Sequence, residues 1–591
     1  MTAFSPEPND LAVSERPGIP SQQEILERLM AKDASLWSDE PEQQAKIRDR
    51  LGWLTLHDAM AVRRAELEDF GQEVRARGYQ RAVLLGMGGS SLAPEVLQAT
   101  FGAAPGRPEL TVLDTTDPAS ILALERSLDL PRTLFIVSSK SGTTLETLSL
   151  FRYFAAKVRA ITGSLDNFVA ITDPGTPLEK LTVEHGFLRC FLNPPDVGGR
   201  YSALSYFGLV PAAVIGVDIK LLLDSARRLD PRAGVGLGAA LAELAENGRD
   251  KVTSLPGGLN GFGAWAEQLI AESTGKEGKG LVPVDGEPLG QPEVYGDDRV
   301  FVRLKCADRP DGLDEQVSAL ETAGHPVVTI DVAYAYDLGA EFLRWEIATA
   351  TVGALLGVNP FDEPNVQEAK DATSAILERG SLDPDVSGET LTPYNGALVM
   401  VPLRGAQPGS YFAIQAFIQR KPEHDELLAR LRAAVRFATR LATTAGYGPR
   451  YLHSTGQLHK GGPDKGIFLQ LTADDPEELP IPGNEVLRQA QHERMQPGDE
   501  VLRQAQHERE GPGDEVLRQA QHERMQPGSG YGFSTLKRAQ ALGDLRALQS
   551  RGRRVMRLHL GADPAEGLAR LLESVQQSTG TPAHAALQRG G

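Results

Sequence analysis

From Arg81 onward the chain repeats one pattern that leaves few folds open. Short apolar runs at 81–85, 110–113, 133–137 and 168–171 each end in a Gly, Ser, Thr or Asp loop. Helical patterns follow at 92–101, 118–128, 144–159 and 177–184. Four such units, roughly 25–35 residues apart, predict a parallel sheet covered by helices, because parallel strands need a long crossover to regain the same edge. Between 20 and 77, apolar residues recur at helical spacing, with Ile25, Leu26 and Leu29 on one face and Leu54, Met60 and Leu67 on another. The second half repeats the theme more loosely. Strands are expected at 300–305, 327–330, 397–401 and 411–417, with helices at 341–356 and 423–444. The expected fold is α/β, with a helical segment at 1–78, a first domain at 79–245 and a second at 246–483 that resumes at 529–591.

What separates the two parts of the second domain is unlike the rest. The decapeptide Glu-Val-Leu-Arg-Gln-Ala-Gln-His-Glu-Arg begins at Glu485, Glu500 and Glu515, identical each time, and Pro-Gly closes each unit. An isolated helix this short is marginal in water, and Pro-Gly stops it from extending. His492, His507 and His522 recur because the whole unit recurs, and no second ligand accompanies any of them, so a metal site is not expected. The decapeptide resembles the translation of short palindromic elements found in some bacterial genomes. Residues 484–528 read as a tolerated, mobile surface insertion.

Charge and cysteine usage exclude several functions. Among 591 residues, 61 Lys and Arg face 79 Asp and Glu, a formal charge of -18, which offers no cationic field for nucleic acid or an anionic membrane. Cys190 and Cys306 are too few for a disulfide framework or a cysteine-built metal site. The most apolar stretch, 206–217, is about half the ~20 residues needed to span a bilayer and reads as core. The N-terminus lacks the basic start and apolar run of a secretory signal. A cytoplasmic location is expected.

Chemistry concentrates at the strand ends. Gly86-Met-Gly-Gly-Ser-Ser91 leaves the first strand and opens a helix, so free backbone N–H groups and a helix N-terminus can face an anion. A dinucleotide site is the rival, with Asp114 as the ribose acid, but its fingerprint needs glycine where Ser91 stands. In the third unit, Ser138-Ser-Lys-Ser-Gly-Thr-Thr144 packs hydroxyls around one lysine before a helix. Thr144 could simply cap that helix. Two anion-shaped loops on neighbouring parallel strands nevertheless suit one phosphate monoester at the sheet's carboxyl edge.

With these loops, two further motifs carry a resemblance. Gly198-Gly-Arg-Tyr-Ser202 and Glu267-Gln-Leu-Ile-Ala-Glu-Ser-Thr-Gly-Lys276 are similar to the signatures of the glucose-6-phosphate isomerase family, which is built from two sugar-isomerase domains, each a mainly parallel sheet flanked by helices. The wording is closest to the isomerase halves of bacterial transaldolase–isomerase fusions, and no residues remain for a transaldolase barrel. The resemblance covers about 51–560 apart from the insertion. It implies that Ser90, Ser139, Ser141 and Thr144 hold the phosphate, with Lys140 and the Gly88-Gly89 backbone nearby. It implies Glu272 as the base between C2 and C1, Arg200 facing the enediolate oxygens, and Gln268 touching the sugar. Aldose–ketose isomerisation passes through an enediolate, which calls for a carboxylate over C1–C2 and a cation for the developing oxyanion.

Ring opening needs another acid–base group. Leu452-His-Ser-Thr-Gly-Gln457 resembles the family's histidine segment, and Asn359-Pro-Phe-Asp-Glu-Pro-Asn-Val-Gln-Glu-Ala-Lys370 resembles the segment ending in its lysine, which implies His453 and Lys370. The histidine segment follows the lysine segment here, the reverse of the order in single-function bacterial relatives, and His459 competes with His453. The expected function is interconversion of glucose 6-phosphate and fructose 6-phosphate in glycolysis and gluconeogenesis, without metal or cofactor. The partner is a small sugar phosphate, and a homodimer is a candidate assembly. Two alternatives keep the fold: a broader substrate range reaching mannose 6-phosphate, and a non-catalytic sugar-phosphate-binding regulator.

Overall fold

The computed structural model describes residues 20–255, 257–379, 396–483 and 531–580. The identical repeats at 484–528 lie outside them. Among the described residues thirteen strands form three sheets, and every strand pairing is parallel. The first contains β1 (Arg81–Gly86), β2 (Glu109–Leu113), β3 (Thr133–Ser138), β4 (Phe168–Thr172) and β5 (Arg189–Leu192), in the order β2-β1-β3-β4-β5. The second is β7-β6-β8-β9, from β6 (Lys251–Leu255), β7 (Val282–Val284), β8 (Arg299–Cys306) and β9 (Val327–Val332). The third is β11-β10-β12-β13, from β10 (Tyr411–Phe417), β11 (Ala442–Tyr447), β12 (Gly466–Thr472) and β13 (Arg554–His559). The α/β class holds, with helices flanking parallel sheets. The stretch read as one second domain carries two sheets rather than one.

Two local expectations fail for physical reasons. Residues 397–401 are not a strand but part of the Gly396–Arg404 helix, where Val399, Met400 and Leu403 are buried and Val401 is 65 % exposed. That is one-sided burial at helical spacing, and it lies against the Pro564–Thr579 helix. The helix expected at 423–444 stops at Thr439, because Arg440 takes a left-handed conformation (φ 60°), and the β-branched Thr443-Thr444 that follows enters β11.

The N-terminal helices are not a separate layer. Ile25, Leu29, Trp37 and Phe70 share one core with the β1 and β3 face and with the Leu338–Leu356 helix, and the Trp37 indole N–H donates to Ala350 O at 2.9 Å. The fully buried Tyr206–Ile215 helix, expected as core, lies in the same cluster. So does the Phe262–Thr274 helix, whose Trp265 meets Phe342 edge-on at 4.7 Å. This shared core joins the first and second sheets and holds the Phe262–Thr274 helix against the first sheet's carboxyl edge.

A buried ion cluster ties the second sheet to the third. Glu287 accepts from Arg299 at 3.0 Å and lies 3.2 Å from Arg436, while the Thr443 N–H donates to it at 2.9 Å. Burial alone would raise the Glu287 carboxyl, but Arg299, Arg436 and Arg432 overcome it and hold it at about 2. A depressed carboxylate contributes stability that is present above its unfolded pKa and is lost as pH falls through the folded one. We therefore expect about 3 kcal/mol to disappear between roughly pH 5 and pH 2. Glu287→Gln should lower Tm at neutral pH and flatten that acid limb in a Tm-against-pH series.

The chain leaves and re-enters the fold at one place on either side of 484–528. Pro480 and Gly532 form an antiparallel bridge, the Phe533 N–H donates to Leu479 O at 2.8 Å, and Phe533 is buried. Loop-closure cost grows only with the logarithm of loop length, so shortening this loop costs nothing in closure. Joining Gly483 to Ser529 should leave a single cooperative unfolding transition with Tm undiminished; a protein that unfolds early would make the repeats structural.

Candidate active site

Gly86 at the end of β1 pairs with Ser138 at the end of β3, so the two loops leave the sheet side by side, at the point where strand order reverses. The Ser138 hydroxyl donates to Ser90 O at 2.9 Å and fastens one loop to the other. Gly88 sits at φ 54°, where a Cβ would lie 2.8 Å from both Gln268 Nε2 and His453 O. A Cβ on Gly89 would collide with Gly199 O. These two glycines let the β1 loop touch three other segments of the site.

The second loop turns at Gly142 (φ 64°). Ser139 and Thr144 hydroxyls lie 2.9 Å apart, as do those of Ser141 and Thr143. Thr144 occupies the N-cap of the Leu145–Thr162 helix but makes no side-chain cap bond. Its hydroxyl faces Ser139, so helix capping does not account for it. Lys140 behaves differently from its neighbours. Its ammonium is bound to Asp173 and, at 3.0 Å, to Pro195 O, so its charge is already met.

Across the cleft, Gln268 and Glu272 stand one turn apart on the Phe262–Thr274 helix, and Gln268 Nε2 donates to Glu272 Oε2 at 3.0 Å. The same amide donates to His453 O at 2.7 Å. Arg200 is buried and closely held. Nε donates to Ser273 Oγ at 2.8 Å, Nη2 to Pro360 O at 2.8 Å and Asp362 O at 2.7 Å, and Nη1 to Glu363 at 3.0 Å. Nη1 also lies 3.5 Å from Glu272. Burial opposes the guanidinium charge, but Glu272 and Glu363 outweigh it and keep Arg200 ionised. Burial raises the Glu272 carboxyl, Arg200 and Gln268 pull it back and Glu363 pushes it up; the net direction is upward. A carboxylate so placed takes a proton more readily than an exposed one.

His453 ends the Arg450–His453 turn and its Nε2 bonds Glu146 Oε1 at 2.9 Å. Gln540 donates to the same oxygen at 2.7 Å and accepts from Thr116 at 2.7 Å. Burial alone would raise Glu146, but His453 above all, with Lys370, holds it below the usual carboxylate range. A cavity of about 640 Å³ opens here, walled by Ser141, Thr144, Glu146, Lys370, His453 and Gln540 among others. Glu272 and Arg200 are not in that wall; Gln268 connects them to it through His453 O. His459, the competing histidine, belongs to the core. Its ring packs 5.0 Å from Phe468 and shares a 3.2 Å hydrogen bond with Tyr411, and burial brings it down to about 3.

A family model described as phosphoglucose isomerase matches residues 61–233. The glucose-6-phosphate isomerase of Rubrobacter xylanophilus is 30% identical over 415 residues, 60% of this chain and 94% of that protein. The chain belongs to the phosphoglucose isomerase family. A probable glucose-6-phosphate isomerase of Methanococcus maripaludis is 28% identical over 52% of this chain and 81% of its own. Among solved structures, a hypothetical protein of Thermus thermophilus superposes with a TM-score of 0.51 at 28% identity, over 60% of this chain and 94% of that one.

Sequence reading missed three groups at this family member's site. Glu363 lies inside the 359–370 segment but reads there as an ordinary acid. Glu146 follows Thr144 by two residues, where an acid in a first helical turn normally only favours the dipole. Gln540 stands on the Phe533–Ser550 helix, beyond the repeats, and no local signal marks it. Lys276, buried and bonded to Asn359 O at 2.6 Å and Asp362 at 2.7 Å, is brought by burial down to about 8.

The glycine contacts yield a test. Gly89→Ala should cost about 1–3 kcal/mol in chemical denaturation, as overpacking against fixed backbone does. Gly199→Ala, where a Cβ meets nothing within 4 Å, should cost far less.

Proposed function

We propose that this chain interconverts glucose 6-phosphate and fructose 6-phosphate, a step of glycolysis and gluconeogenesis, in the cytoplasm. The observation that carries the reading is Glu272: a buried carboxylate within 3.5 Å of Arg200, braced by Gln268, beside two hydroxyl-and-glycine loops at one sheet edge. Relatives named glucose-6-phosphate isomerase support the same reaction.

In this reading Ser90, Ser139, Ser141 and Thr144 receive the phosphate, with the Gly88-Gly89 amides. They anchor and orient the sugar without entering the bond changes. Lys140, already paired, shapes the loop and does not supply a free charge. The ring opens with His453, poised by Glu146, and Lys370 in the same cavity wall. Glu272 then takes the C2 proton of glucose 6-phosphate, and the electron pair forms the C1–C2 double bond of the enediolate. Arg200 stabilises the oxygen that gains charge. Glu272 returns the proton to C1 as the C2–O bond becomes the carbonyl, and the proton leaving O2 is regained at O1, giving the ketose. A regulator that only bound sugar phosphate would need the loops but no buried carboxylate–guanidinium pair.

Glu272→Gln keeps size and hydrogen bonding and removes the proton acceptor. Turnover in a coupled fructose 6-phosphate assay should fall about 10²–10⁴-fold, while sugar-phosphate binding by calorimetry persists. In deuterated water the wild type should carry label into C1 of fructose 6-phosphate, and the variant should lose labelling and turnover together. A variant that still exchanges label would move the base elsewhere. A wild-type protein that binds but never turns over would favour the regulator. Because the carboxyl is raised, kcat/KM should fall on the acid side at a pH above the usual ~4.3 of a glutamate.

A further inference from the structure

A second cavity, of about 250 Å³, lies behind the active site between the Phe262–Thr274 helix and the third sheet. Three arginines reach it: Arg432 from the Pro422–Thr439 helix, Arg420 from the loop after β10, and Arg450. Arg450 is consumed by Glu95 and by Asp114 at 3.1 Å. Arg432 is only 5% exposed; its Nη2 donates to Asp285 O at 2.8 Å and Thr443 O at 2.6 Å, while its Nη1 has no hydrogen-bond partner among the described residues. Arg420 spends Nη1 on Glu95 at 3.0 Å, and its Nη2 is likewise unpartnered among them. Opposite stands Glu267, whose carboxyl has no hydrogen bond or ion pair among the described residues. Glu267 and Arg432 act on each other through charge, and the free guanidinium N–H and the carboxyl both face the cavity, where water or a ligand can bond them.

We infer that this cavity is a binding site for a small hydroxy acid, whose anionic group meets Arg432 and Arg420 and whose hydroxyls meet Glu267, and that its occupancy acts on turnover. The volume, roughly eight waters at ~30 Å³ each, has room for a three-carbon acid with several waters beside it. Burial and Asp285 push the Glu267 carboxyl up to about 8, so it opposes an anion less than an ordinary glutamate would, while Asp285 and Asp425 stand in the same wall. The coupling is a shared wall. Arg450, Tyr451 and Ser454 line this cavity, whereas Leu452 and His453 of the same turn line the other. Glu267 precedes Gln268, which holds His453 O and Glu272. A ligand that draws on one side of the turn and helix shifts groups on the other side by the same bonds. The turnover half of this inference rests on the isomerase reading; the binding half does not.

The probe is D-glycerate, with acetate as the hydroxyl-free comparison, titrated by calorimetry into the full-length protein. Glycerate should bind more tightly than acetate. Arg420→Ala, at a half-exposed position that should not disturb folding, should weaken it roughly 10- to 100-fold, as loss of a charge-assisted hydrogen bond does. Arg432→Gln should do the same where it folds. Binding should survive Ser139→Ala combined with Thr144→Ala and should persist with fructose 6-phosphate present, and glycerate should change kcat with little change in KM. Absence of binding, binding lost in the Ser139/Thr144 variant but kept in Arg420→Ala, or occupancy that leaves both kcat and KM unmoved would each overturn the inference. Binding is read without turnover, so an inactive enzyme would not be mistaken for an empty cavity.

Discussion

The guanidinium of Arg200 is the joint on which the site depends. Its side chain comes from the Gly199–Tyr201 turn, its Nε partner Ser273 from the Phe262–Thr274 helix, and its remaining partners from the 360–363 segment. One planar, permanently charged group thus sets three separate stretches of chain in register. A lysine could not do this, because it lacks the fixed fork of five donors. The two carboxylates nearby, Glu272 and Glu363, make burial of the charge tolerable. They also hold the arginine in one fixed orientation at the candidate site.

Charge is arranged so that the two loops after β1 and β3 themselves carry little. Lys140 is bound to Asp173, and the hydroxyls of Ser139, Ser141, Thr143 and Thr144 pair with one another. In a chain of net charge -18 no general field draws anions in. Any anion held there would rely on local donors, the backbone amides and hydroxyls at a helix N-terminus, which act at short range and are therefore geometrically exacting.

All three sheets begin with the same strand order, the first strand flanked by the second and third. In the second sheet a Cβ on Gly258 would lie 2.6 Å from Arg309 O, so the two loops pack backbone on backbone. In the third, Asp475 beyond β12 is sealed by Lys537, which also binds Asp117 at 3.0 Å. The fold repeats one strand order three times, and different contacts follow at each reversal point.

The first sheet was readable because each strand is a continuous apolar run that ends in its own loop, and periodicity is a local property. The same locality failed at 397–401, where packing on a distant helix chose the conformation, and it hid the third sheet, whose β12 and β13 are separated by the repeats. At the site, the sequence alone determined the residue types: two glycine-and-hydroxyl loops, a glutamine and a glutamate one helical turn apart, and an arginine after paired glycines. Only the tertiary structure decided their partners. It turned Lys140 onto Asp173, buried His459 beside Tyr411, and brought Glu146, Gln540 and Glu363 to the site from distant stretches of chain. Residue type follows from the chain, but the pairing of a charge depends on which surfaces lose their water together, and that is settled only when the sheets and helices pack.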